Sequence, residues 1–339
     1  MPSVQIKTVP EDFVVDEIPA YEPSGEGNHV YLRLKKRDLP TDAAVRAIAK
    51  ELGVHPKDVG VAGMKDKRAV TTQWISLEPP RGTTVDDFMS RAAKLSLDGM
   101  EILDVQRHGN KLKTGHLHGN RFRIVVRAVP DSKAFIDKAE KVAVTGVPNA
   151  FGEQRFGKEA DNAKRALDIV AGKEKPPRDA RLLRLLYSSL QSDVFNSVLE
   201  ERVRRGTWAT ALRGDVLKKT DTGGLFVCTD EQQDAARAER GEVSATGPLP
   251  GPKMMRAEGD VGALEDEVAR ARLGEAYDRA FEGVLGEGTR RALRLFVKEM
   301  RVSCNSVANA SGIEETSCTV EFVLPKGAFA TTVLGHLMG

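Results

Sequence analysis

Apolar and polar residues alternate over residues 11–18 and again over 29–37, the pattern of half-buried strands, with a turn-rich stretch at 22–28 between them. A helix follows, capped by Thr41 or Asp42. Ala44, Val45, Ile48, Ala49 and Leu52 form its apolar face and Gly53 stops it. Residues 68–77 read as a strand. A second half-sheet is expected over 112–127, ending in strong alternation from Arg121 to Arg127, and a helix over about 134–144. Beyond Gly157 the character turns helical, with a 3.6-residue period over 181–205 and another charged helix near 262–283. A β-like stretch at 223–228 and a turn at 246–251 lie between those helices. The end brings a strand over 319–324 and a closing helix over 329–337. A β-rich beginning, a helical middle and a β-containing end suggest one domain interrupted by another, with the Lys- and Pro-bearing stretch 172–178 as a boundary.

At 339 residues the chain is long enough for two cores, and 40% hydrophobic with 29% charged residues describes an ordinary globular protein. The net charge of +2 says little globally. Locally, Arg107, Lys111, Lys113, Arg121, Arg123 and Arg127 fall in one stretch without an Asp or Glu, the electrostatic footprint of phosphate binding, or else a solvated hairpin. Cys228, Cys304 and Cys318 are odd in number and lack CxxC spacing, which argues against a disulfide framework and a structural zinc site. The N-terminus has no signal-like apolar region and no apolar run is long enough to span a bilayer, so a cytoplasmic protein is expected.

The densest chemistry is Gly63-Met64-Lys65-Asp66-Lys67. It sets one carboxylate between two ammonium groups on a loop between helix and strand, and nearby cations favour a charged carboxylate. Such an aspartate suits attack or proton abstraction at a sugar carbon without a metal. Residues 60–65 lack the spacing and the Ser or Thr of a phosphate-binding loop, which disfavours an ATPase. His108, His116 and His118 have no apparent fourth partner for zinc. Asp12, Asp16 and Glu17 allow a metal-dependent nuclease as a rival, but they lack accompanying ligands of recognisable spacing.

In order and spacing, several segments resemble the TruD family of tRNA pseudouridine synthases over nearly the whole chain. They are residues 10–17, 62–67 with 69–73, 119–122, 147–157, Leu190-Gln-Ser with Phe195-Asn196, 246–251 and 324–331. The resemblance implies an α+β pseudouridine synthase catalytic fold, a mixed and mainly antiparallel sheet flanked by helices, over 1–174 and 297–339. A largely helical α/β insertion would occupy 175–296. It also implies a monomer acting on tRNA, at a uridine of the D-arm region, position 13 by tRNA convention, with no cofactor and no metal. Carried over position by position, Asp66 is the catalytic aspartate and Lys7 its supporting lysine, while Phe13, Asn149, Phe151 and Phe329 line the uridine pocket. The family often has an aromatic residue where Ala150 stands, and Gly335-His336 replaces its usual Arg-Glu, which bears on fine substrate contacts and the last helix.

In that reading Asp66 attacks C1′ or removes a proton from C2′, two routes that the sequence leaves open. Lys7 suits the pairing better than Lys65 or Lys67, whose side chains in an extended chain point away from their neighbour's. The three phenylalanines offer faces for an extruded pyrimidine, and Asn149 either reads the uracil edge or clamps its own turn. Arg107, Lys111, Lys113, Arg121 and Arg123, with Lys173, Lys175, Arg178, Arg181 and Arg184, would hold the RNA backbone. A non-catalytic RNA-binding protein of the same shape is the main rival; it would bind tRNA but have no need of Asp66.

Overall fold

The two alternating runs near the N-terminus become strands of one sheet, β1 (Phe13–Pro19) and β2 (His29–Arg37). These coordinates come from a computed structural model that describes residues 4–308 and 314–339. Numbered along the chain within this sheet, the other strands are β3 (Gly60–Val61), β4 (Val70–Leu77), β5 (Met100–His108), β6 (Leu117–Val126), β7 (Lys298–Ala308) and β8 (Glu314–Pro325). Their order is β7-β8-β6-β1-β4-β2-β5, with β3 on β4. β1 runs parallel to β4 and the other pairings are antiparallel. The last two strands therefore complete a sheet begun at the N-terminus. This is the α+β class, with the mixed and mainly antiparallel sheet, that the sequence pointed to.

Contacts divide the chain into two compact units, residues 1–143, 297–330 and 337–339 in one, and 144–296 with 331–336 in the other. In the first, Val30, Leu32 and Leu34 share one face of β2, as the two-residue period requires, and pack with Ala44, Ile48, Ala49 and Leu52 of the helix Thr41–Leu52. Gly53 ends that helix in the left-handed region at φ 72°, where a side chain is disfavoured. Its N-cap is Pro40, without a side-chain hydrogen bond, instead of Thr41 or Asp42. Thr41 is freed for a different task, described below. The helix Val85–Ala93 and β5 occupy a region for which the sequence suggested nothing.

In the second unit, the helices Asn162–Val170 and Ala180–Arg204 pack through Ala166, Ile169 and Val170 against Leu186, Leu190 and Val194. The stretch 172–178 is the turn between them, inside this unit. A four-stranded sheet runs in the order Thr289–Ala292, Val243–Leu249, Val216–Lys219, Leu225–Val227. Residues 246–249, read as part of a turn, are therefore strand. Pro248 is tolerated because this half of the strand pairs only with 289–292, and at Gly247 a Cβ would come within 2.9 Å of Phe195.

The cysteines also depart from expectation. Cys304 and Cys318 face one another across β7 and β8 and are joined in a disulfide, leaving Cys228 buried and free. Strand register brings them together, and no spacing rule signals register. The closing helix runs over Ala330–Met338. Among the described residues no helix is long and apolar enough to cross a membrane.

Candidate active site

Asp66 lies on the loop between β3 and β4 with its side chain 52% exposed. Lys7 Nζ stands 3.5 Å from its Oδ1. The same ammonium sits 3.9 Å over the ring of Phe13, which is 1% exposed and packs edge-on against Phe122. A cation on a ring face is attracted by the ring's quadrupole, so Phe13 steadies Lys7 from one side while Asp66 holds it from another. Lys7 also has a positive φ of 57°, a conformation uncommon for lysine. Its segment is tied on both sides. Gln5 bridges Arg127 through two backbone hydrogen bonds, and Arg127 grips Asp12 through Nε and Nη2 at 2.9 and 2.7 Å.

The loop that carries Asp66 is pinned along its length. Lys65 N donates to Thr41 Oγ1 at 3.0 Å, Thr41 donates to Gln73 Oε1, and Gln73 Nε2 donates to the Gly63 carbonyl. Gly115 N donates to the Ala62 carbonyl at 2.8 Å. The Lys65 side chain turns inward and pairs with Glu17 Oε2 at 2.7 Å while donating to Asn120 Oδ1 at 2.7 Å. Burial pushes the Glu17 carboxyl above its usual range, and Lys65 opposes that push. Of the two lysines flanking Asp66, one is therefore committed to holding the loop.

Lys36 was not anticipated. It continues the series Val30, Leu32, Leu34 on β2 and is 1% exposed, a lysine in an apolar register position. Its Nζ donates to the Leu39 carbonyl at 2.6 Å and to the Asp66 carbonyl at 2.9 Å. Burial pulls its pKa down to about 8, against an upward pull from Asp66. A lysine that breaks an apolar alternation was the one available sequence signal.

The remaining candidates separate. Phe13 has one face under Lys7 and is buried, so it serves as a platform for the lysine and leaves no open face for a base. Phe329 is 56% exposed. Asn149 and Phe151 belong to the other unit, gathered around Arg291. There the Asn149 amide donates to the Ala292 carbonyl at 2.8 Å and its Oδ1 accepts from Arg291 Nη2 at 2.7 Å. Ala150 packs in the apolar cluster around Phe195.

In the basic stripe, Arg107 pairs with Asp86, Arg121 pairs with Glu299 at 2.7 Å, and Lys111 donates to the Lys57 carbonyl. Lys113 and Arg123 are exposed and have no carboxylate partner among the described residues. His116 binds the Tyr21 hydroxyl and His108 stacks on the Tyr21 ring, so both serve the packing of one tyrosine. Asp12 and Glu17 are occupied by Arg127 and Lys65. Asp16 and Glu17, adjacent on β1, point to opposite faces, so the three acids make no common metal cradle.

The site is thus a half-exposed aspartate paired with one lysine on a pinned loop, set in a mixed, mainly antiparallel α+β sheet. The profile of the family described as tRNA pseudouridine synthase D (TruD) matches residues 3–175 and 176–337. A protein named tRNA pseudouridine synthase D from Anaeromyxobacter sp. (strain Fw109-5) is 44% identical over 338 residues, covering 98% of this chain and 92% of the relative. One of the same name from Thermus thermophilus is 40% identical, covering 98% and 88%. A solved structure from Methanosarcina mazei, described as a TruD protein, superposes with a TM-score of 0.81 at 25% identity, over 99% of this chain and 93% of its own. The chain belongs to the TruD family.

Proposed function

We propose that the protein isomerises a uridine of tRNA to pseudouridine, at position 13 in the D-arm region, with Asp66 as nucleophile or base and no metal or nucleotide cofactor. The observation that carries this reading is the Lys7–Asp66 pair on its pinned loop, in a chain that belongs to the TruD family. The reaction breaks the N1–C1′ bond and forms a C5–C1′ bond, with loss of the C5 proton and gain of one at N1. No electrons are exchanged with a partner, so none of the steps calls for a redox group.

Asp66 contributes an oxyanion beside the ribose. It either attacks C1′ or takes a proton from C2′; in both cases the uracil leaves, turns and rejoins through C5. Lys7 orients the carboxylate through their ion pair, and Phe13 supports Lys7. Lys113 and Arg123, with the other stripe residues, supply phosphate contacts. In this reading residues 1–174 and 297–339 form the catalytic domain, 175–296 an insertion, and the enzyme works as a cytoplasmic monomer.

The test is a tRNA transcript treated with wild type and with Asp66→Asn, followed by tritium release from C5-labelled uridine and by mapping of the modified position. Wild type releases tritium and Asp66→Asn binds the tRNA without release. Equal release by the two proteins sinks the reading, and tRNA binding without release by either one favours the RNA-binding rival.

A further inference from the structure

Buried arginines in the unit 144–296 are satisfied in one of two ways. Arg202 meets Asp215 through Nη1 and Nη2 at 2.8 and 3.0 Å, and Arg290 meets Glu265 at 2.7 and 2.5 Å. Arg294 has no carboxylate, but its Nε, Nη1 and Nη2 donate to the carbonyls of Thr145, Ala238 and Val144.

Arg155 and Arg291, both half-buried, follow neither pattern. Arg291 lies 4.0 Å over the Phe151 ring and donates Nε and Nη2 to the carbonyl and side-chain oxygens of Asn149, both neutral. Arg155 lies 5.3 Å from the same ring and donates Nε to Ser192 Oγ at 3.1 Å. Neither has a carboxylate within ion-pair distance, and Arg291 Nη1 and both terminal nitrogens of Arg155 have no acceptor, among the described residues. Burial, reinforced by the charge of Arg155, brings the Arg291 pKa down to about 10, and burial lowers that of Arg155.

The setting is rigid. Asn196 clamps the Phe151 backbone on both sides, accepting from its N–H at 2.9 Å and donating to its carbonyl at 3.0 Å, while Phe195 packs edge-on against the ring. The spare nitrogens reach solvent, since none is among the buried unsatisfied atoms, and two partly desolvated cations that repel each other on one ring favour an anion arriving from outside. Guanidinium forks match the oxygens of a phosphate better than any other common anion in RNA.

We propose that Arg155 and Arg291, fixed on Phe151, form a site for one backbone phosphate of the RNA substrate. This rests on the tRNA-modifying reading above. Arg155 is the residue to change, since Arg291 also holds Asn149.

Binding of a tRNA transcript to the full-length protein is measured over a salt series for wild type, Arg155→Gln and Arg155→Lys, together with melting of each free protein and pseudouridine formation by wild type. Arg155→Gln binds about tenfold more weakly and its log–log salt slope is shallower by roughly 0.7 to 0.9, one phosphate contact. Arg155→Lys keeps the slope, and free Arg155→Gln melts no lower than wild type, because removing one of two repelling cations relieves the fold. An unchanged slope in Arg155→Gln, or a lower melting point with binding lost in proportion, overturns the phosphate site. If wild type makes no pseudouridine while the slope still falls, the site stands and the isomerase reading fails.

Discussion

Lys7 Nζ lies 3.5 Å from Asp66 Oδ1 and, at the same time, 3.9 Å over the Phe13 ring. An ammonium held by a carboxylate on one side and a buried aromatic face on the other has little freedom to leave, although Asp66 itself is half exposed. Replacement of Asp66 by Asn is expected to lower kcat by roughly 10³-fold or more while tRNA affinity changes little. Lys7→Met, which keeps the packing on Phe13 but loses the charge and its ion pair with Asp66, should lower kcat by about 10- to 100-fold. Single-turnover assays at saturating enzyme measure both, and a Lys7→Met enzyme with wild-type turnover removes Lys7 from the mechanism.

Lys36 binds the carbonyl of the same aspartate from beneath, and its pKa is brought down to about 8. It is charged below that pH and neutral above it, so support for the Asp66 charge weakens as the pH rises through about 8. The pH profile of kcat should fall on that alkaline side, and Lys36→Gln should flatten the limb while lowering kcat at neutral pH. Stability moves the other way: between about 8 and 10.5 the unfolded chain binds a proton that the folded one does not, so folding gains as the pH rises through that window. Lys36→Met should lose this gain in denaturant titrations at pH 8 and 10. Persistence of the alkaline limb in Lys36→Gln assigns it to another group.

Lys65 and Glu17 are nearly inaccessible, with side chains 4% and 1% exposed. Glu17→Gln leaves the Lys65 ammonium buried without a counter-charge, for an expected loss of roughly 3 to 5 kcal/mol in urea unfolding. The double change Glu17→Gln with Lys65→Met should recover much of that, since no unpaired charge remains. If the double variant is no more stable than Glu17→Gln, the loss comes from the altered loop and not from the stranded charge.

Burial raises the Asp12 carboxyl, but hydrogen bonds from Arg127 and the Val9 N–H outweigh it and hold its pKa below the ordinary 3.8. The resulting stability is complete above about 3.8 and disappears as the pH falls through the lower folded value. With Arg127 about one third exposed, solvent screening reduces the pair's worth to about 1 kcal/mol. Melting curves of wild type and Asp12→Asn should therefore differ near neutral pH and converge in acid. A gap that persists in strong acid attributes the effect to packing.

Alternation and helical period, which report local burial, were enough to locate β1, β2, β4, β6, β8 and the helices Thr41–Leu52 and Ala180–Arg204. The order of motifs singled out Asp66 and Lys7. The sequence alone did not show that residues 246–249 are strand, because Gly247 answers to Phe195 and not to a turn, nor that Cys304 faces Cys318. Thr41 reads as a helix cap until the fold brings Gln73 and Lys65 to its hydroxyl. Lys36 beneath Asp66, Asn120 beside Lys65 and Arg291 over Phe151 acquire meaning only through partners tens of residues away. Local patterns come from which side of an element meets water, a property of neighbouring residues; the state of a charge depends on what the completed fold sets beside it.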